Sequence, residues 1–150
     1  MKRVLCLDVG DSRVGIAVSD ELCITASGLA TLERTNIKAD TQKILETIRE
    51  NECSVVVIGL PLNLSGSDSV QTEKVRAFAQ KLENKLKSNA MQSVTVELYD
   101  ERFTTAIAEN AMIEAGASKK NIREAKQSGV IDRQAAVVIL EDWLRGHTGK

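Results

Sequence analysis

The chain has 150 residues, the length of one ordinary domain with room for a substantial core. It is 43% apolar and carries a formal net charge of −1, which excludes a disordered chain and a generic polyanion binder but leaves room for a local basic surface. Three cysteines without C-x-x-C spacing, and one histidine near the C-terminal end, argue against a disulfide framework, a zinc site and histidine-based triads.

The apolar stretch that begins the chain stops at Asp8, short of the roughly 7–15 residues of a signal-peptide core. No later run approaches the roughly 18 apolar residues of a membrane span, so a cytoplasmic protein without membrane contact is expected. Val4 to Val9 and Val14 to Ser19 read as strands. The turn Gly10-Asp11-Ser12-Arg13 between them predicts an antiparallel hairpin. Thr25 to Leu32 reads as a third, edge-like strand. Ile37, Ile44, Leu45 and Ile48 recur at helical spacing behind Asn36, a candidate N-cap. Ser54 to Gly59 is a β-branched run of the kind buried on both faces of a sheet, and Cys6 and Cys53, in or beside such strands, read as small hydrophobes.

A polar loop follows Pro61. Asp68 and Gln71 have capping-box spacing before a helix with the apolar stripe Val75, Phe78, Ala79, Leu82 and Leu86. Val94 to Tyr99 alternates as a strand. A helix is expected over Ala106 to Ala115 with Gly116 as its stop, then a polar loop or ragged helix to residue 130. A last helix is expected over Ile131 to Arg145, ended by Gly146. Hairpin-joined strands followed by helix-joined strands make one α/β domain over residues 1–150, a mixed sheet flanked by helices.

Three acidic positions could carry chemistry. Asp8 shares a strand face with Val4 and Cys6, where a charge must be paired, metal-bound or at the solvent edge. It could also cap the following turn. Asp100-Glu101 ends another apolar strand, where α/β sheets tend to bind ligands; the plain alternative is surface charge before a helix. Asp132 enters the last helix on the stripe of Ala136 and Ile139, and is equally explained as an N-cap. Together these carboxylates would repel unless cations sat between them. Two Mg²⁺ ions about 4 Å apart could activate water and stabilise the leaving oxygen in phosphodiester cleavage. Mg²⁺ needs only oxygen ligands, and Mn²⁺ would suit the same set.

For the substrate, Lys119, Lys120, Arg123 and Lys126 cluster before Asp132 with Glu124 as the only acid among them. Such a run is also what a solvated loop looks like. Arg13 and Arg102 adjoin acidic positions and could each clamp a phosphate. One Trp, one Tyr and two Phe offer little base stacking, which favours recognition of a nucleic-acid backbone.

Leu7-Asp8-Val9-Gly10 with Arg13, Gly15, Ala17, Ser19 and Asp20, then Val57 to Leu62 with Gly66, then Asp100-Glu101-Arg102 with Thr104-Thr105, then Asp132 with Ala135-Ala136 and Ile139-Leu140, form an ordered set along the chain. In that set the sequence resembles the YqgF (RuvX) family of bacterial proteins over almost its whole length. The resemblance implies a ribonuclease H-like fold related to RuvC-type Holliday-junction resolvases. It also implies a nuclease acting at the 5′ end of pre-16S ribosomal RNA in ribosome biogenesis. It makes Asp8, Asp132 and the Asp100-Glu101 pair the acidic cluster. Related resolvases place a Glu at the equivalent strand, so Glu101 is the catalytic choice, with both Asp100 and Glu101 open as metal ligands. Branched DNA is the alternative substrate, and a homodimer would suit its two symmetric cuts as a monomer would not. Two other classes compete: a non-catalytic RNA-binding ribosome-assembly factor, and an actin-like phosphotransferase, which would need a second related domain.

Overall fold

The computed structural model describes residues 3–63, 65–100 and 130–148, with side chains over 135–146 in the last segment. Strands β1 (Arg3–Val9) and β2 (Arg13–Ser19) form the expected antiparallel hairpin, with Asp8 opposite Gly15 and Cys6 opposite Ala17. The expected third strand is two short pieces, β3 (Ala26–Gly28) and β4 (Leu32–Glu33), both antiparallel to β2. Neither is long enough to show a clear alternation, which is why the sequence reads as one strand there.

Helix α1 (Ile37–Glu50) starts at Asn36, whose side chain accepts from the Ala39 N–H at 2.9 Å. β5 (Cys53–Leu60) then pairs parallel with β1, and β6 (Thr95–Asp100) pairs parallel with β5. Between them runs α2 (Val70–Ser88), and α3 (Val130–Thr148) ends the described chain. Among the described residues the sheet has six strands in the order β3-β2-β1-β5-β6, with β4 also on β2. The predicted helix over 106–115 and the loop after it lie outside the described residues.

Two local readings change. The capping box of α2 is Ser69 with Thr72, one residue later than the Asp68–Gln71 spacing suggests. Asp68 instead binds Arg76 through two bonds of 3.1 Å, and the Gln71 amide donates to the Val9 carbonyl at 3.3 Å. Gly146 does not end α3, which continues to Thr148. Nothing lies within 4 Å of where a Gly146 Cβ would sit, and an exposed glycine only weakens a helix that other residues hold in place.

The alternation of the strands divides the core in two. Leu5, Leu7, Val56 and Ile58 face α1 and α2 and bury with Ile44, Leu45, Phe78 and Leu82. Val4, Cys6, Ala17 and Val57 face α3 and bury with Ala136, Ile139, Leu140 and Trp143. Each fully buried Leu or Ile here is worth roughly 1.5–3 kcal/mol, so both layers contribute to holding the sheet between the helices. No helix among the described residues is long and apolar enough to cross a membrane.

Candidate active site

Asp8 is the one half-buried position in the otherwise buried run Val4 to Val9. Its strand face is that of Val4 and Cys6, as alternation predicts, so its carboxylate belongs to the layer between the sheet and α3. The neighbouring strands leave space for it. Gly15 sits opposite on β2. On the other side Leu7 pairs with Ile58, so one residue on Asp8 is level with Gly59, which itself pairs with Tyr99. The residue directly across from Asp8 on each adjacent strand is therefore a glycine. Glycine inside a strand weakens it and marks a place where another group approaches closely. The sequence reading passed over this; the signal was a lone Gly inside each of two β-branched runs.

The turn after Asp8 is fixed from several sides. The Gly10 N–H donates to the Arg13 carbonyl at 2.8 Å, and a Cβ at Gly10 would lie 3.0 Å from that oxygen, so a side chain there would push the carbonyl aside. The Arg34 guanidinium donates to the Gly10 carbonyl at 2.7 Å, and Lys74 pairs with Asp11 at 3.2 Å. Arg13 pairs with Glu33 at 3.1 Å across β2 and β4. A phosphate clamped by Arg13 would have to compete with that carboxylate, which is largely exposed and readily displaced.

β6 places Asp100 relative to the two layers of the core. Val96 packs with the α1–α2 layer and Tyr99 with the α3 layer. Asp100, paired with Leu60, thus faces α1 and α2, away from Asp8. Tyr99 is on the face of Asp8, two strands across and about 10 Å away at the backbone. Its hydroxyl donates to Asp142 of α3, which also accepts from Arg145 at 2.9 Å. The strand end that carries the acidic pair is thereby fastened to the helix that carries Asp132.

Asp132 lies within the first turn of α3, three and four residues before the buried Ala135 and Ala136. Its side chain lies outside the described residues. So do Glu101, Arg102, Lys119, Lys120, Arg123 and Lys126. Among the described residues no group of three or more His, Cys, Asp or Glu could hold a metal ion. The donors that are placed fit a hard cation: Asp8 offers oxygen, and all three cysteines are buried within the core.

Burial pushes the Cys53 thiol up to about 11. Burial, and then the hydrogen bond to Asp142, pushes the Tyr99 hydroxyl up to about 12. Both groups keep their protons in the folded chain at pH values where the unfolded chain has released them. Stability is therefore full below about pH 9 and declines as pH rises towards 12. Thermal midpoints measured by circular dichroism should fall from pH 9 to pH 11. The fall should be shallower in Cys53→Ala; an equal slope would remove Cys53 from the account.

Three parallel strands, β1, β5 and β6, extended by the antiparallel β2, with helices on both faces, make the ribonuclease H-like arrangement. Solved structures bear this out. "T. thermophilus RuvC in complex with Holliday junction substrate" superposes with a TM-score of 0.59 at 12% identity, covering 99% of this chain and 97% of that one. The yeast mitochondrial Holliday junction resolvase Ydc2 superposes at 0.56 and 10% identity, covering 96% of this chain and 78% of that one. The chain belongs to the RuvX family, described as Holliday junction resolvase, whose model matches residues 2–146. A relative from Myxococcus xanthus is 42% identical over 145 residues, 97% of this chain and 89% of its own. One from Koribacter versatilis is 44% identical over 142 residues, 95% and 86% of the two chains. Both carry the name "Putative pre-16S rRNA nuclease".

Proposed function

We propose that this chain is a metal-dependent endonuclease that hydrolyses phosphodiester bonds at the 5′ end of pre-16S ribosomal RNA, in ribosome biogenesis in the cytoplasm. The observation that carries the reading is Asp8, held half-exposed between two glycine positions on the α3 face of the sheet. The names of the relatives supply the substrate.

Asp8, Glu101 and Asp132 are the catalytic carboxylates and metal ligands of this reading. Alternation supports Glu101 over Asp100: Asp100 faces away from Asp8, and one residue further along a strand returns to Asp8's face. Helical spacing supports Asp132, which stands four and seven residues before the buried Ala136 and Ile139. Bound Mg²⁺ or Mn²⁺ would supply a water acidic enough to act as nucleophile and positive charge for the leaving oxygen. The chain's own part is to hold oxygen ligands on a rigid sheet, fix the turn beyond Asp8, and grip the backbone. Arg13, released from Glu33, would take a phosphate, as would Arg102, Lys119, Lys120 and Arg123.

Glu101→Gln should lower the cleavage rate at least about a hundredfold, and Asp100→Asn less than about tenfold, in single-turnover assays. The reverse order would make Asp100 the ligand. The second reading, a resolvase of branched DNA, is favoured by the family's description and would suit a homodimer. The deciding experiment incubates purified protein and Mg²⁺ with ribosomal precursor RNA and with four-way junction DNA, beside Asp8→Asn. Precursor cleavage by the native chain alone is expected. Preferential junction cutting would transfer the reading to DNA. No cleavage of either would leave a non-catalytic RNA-binding factor, and equal cleavage by Asp8→Asn would overturn the role of Asp8 and the mechanism built on it.

A further inference from the structure

On the face of the sheet away from Asp8, the junction of α1 and α2 holds two depressions of about 350 Å³ each that share Lys38 and Lys85. Lys81 lines the second. The remaining polar lining, Asn36, Thr41, Gln42, Ser88 and Asn89, is neutral, and among the described residues no carboxylate lines either depression. The ion pairs among the described residues engage none of the three lysines.

Helix stability explains only Lys85, which lies in the last turn of α2 where a cation is favourable. Lys38 is the second residue of α1, at the positive end of its dipole, where a cation is unfavourable. Lys81 and Lys85 are one turn apart on α2, where like charges repel. The fold thus concentrates positive charge at a cost that a bound anion would offset. The charges also form a line. Lys74, Lys81 and Lys85 fall on one stripe of α2, about 16 Å long at 1.5 Å per residue. The stripe starts at the turn after Asp8, where Lys74 pairs with Asp11. A compact anion would engage one point of such a line; a linear polyanion engages all of it.

We propose that Lys38, Lys81 and Lys85 form a track that contacts the phosphodiester backbone of a nucleic acid leading away from the Asp8 turn. The track rests on the reading that the chain acts on nucleic acid. It contributes affinity without base specificity, because amines on phosphates carry no sequence information.

The test measures binding of a fluorescein-labelled RNA hairpin with a single-stranded tail by anisotropy, in EDTA, across a series of KCl concentrations. The triple variant Lys38→Gln/Lys81→Gln/Lys85→Gln should bind about tenfold more weakly or worse. Its slope of log affinity against log salt should be shallower by about 2, since each lost phosphate contact removes about 0.7–0.9. A charge-matched variant off the track, Lys43→Gln/Arg49→Gln/Lys87→Gln, should change the slope by less than about 1. Thermal midpoints of both variants check folding. Equal losses in the two triples, an unchanged slope in the track variant, or no RNA binding by the native chain would overturn the track. Cleavage by the native chain is scored separately. If it cleaves while the track triple binds normally, only the track fails. If it does not cleave while the triple loses binding, the catalytic reading fails and the track stands.

Discussion

Asp8→Asn is expected to reduce cleavage at least about a thousandfold while changing folding stability by less than about 1 kcal/mol. The two halves of that result have different causes. Asparagine keeps the size of the side chain and its ability to accept hydrogen bonds, so the packing around β1 survives. What it loses is the negative charge that binds and orients a divalent cation. A bound cation is worth several kcal/mol of transition-state stabilisation, and each 1.36 kcal/mol is a factor of ten in rate. The stability half follows from the position. Asp8 occupies the apolar face of a buried strand, where a charge is held at some cost in desolvation. Replacing it with a neutral group relieves that cost, as is common where function and stability compete. Single-turnover cleavage and urea denaturation measure the two. A variant that unfolds readily and cleaves at more than about a tenth of the native rate would make Asp8 a structural turn residue instead.

The same residue shows how far the sequence could be read. The strands β1, β2 and β5 were legible because each is a short, mostly apolar run bounded by Gly, Asp or Pro. Their limits fall within about one residue of those in the structure. Asn36 was legible as a cap because capping is local, and the apolar stripe of α2 because helical period is local. The Ser69–Thr72 box was missed because Asp68 fits the pattern equally well; its partner, Arg76, lies eight residues on, outside that pattern. Strand pairing is not local at all. That Gly15 and Gly59 stand on either side of Asp8, and that Asp100 faces α1 and α2, depends on the register of four strands, β1, β2, β5 and β6. The Arg34 side chain was invisible for the same reason. Nothing near it in sequence announces that it reaches Gly10, 24 residues earlier.

Arg34 carries the largest expected loss of stability. Its guanidinium is mostly buried, and its Nε donates to Asp40 Oδ2 at 3.1 Å. The other Asp40 oxygen accepts the Thr35 N–H at 3.1 Å, and the carboxylate side chain is only 2% exposed. The guanidinium also lies 5.3 Å from the centre of the Phe78 ring while holding the Gly10 carbonyl. Arg34→Met fills much of the volume and keeps the contact with Phe78. However, it leaves Asp40 as a buried charge without its cation, which typically costs about 3–5 kcal/mol. Arg34→Lys should fall between, because one ammonium cannot present the planar fork that serves Asp40 and Gly10 together. Arg34→Met/Asp40→Leu should recover much of the stability, since a buried pair replaced by apolar groups of similar size is often neutral. It should not recover the tie to the Gly10 carbonyl, two residues beyond Asp8. Urea denaturation therefore separates the buried charge from the fixed turn. If the double variant is no more stable than Arg34→Met, the unpaired carboxylate is not the source of the loss. If it is stable yet still cleaves slowly with unchanged substrate affinity, the bond from Arg34 to the turn is part of what places Asp8.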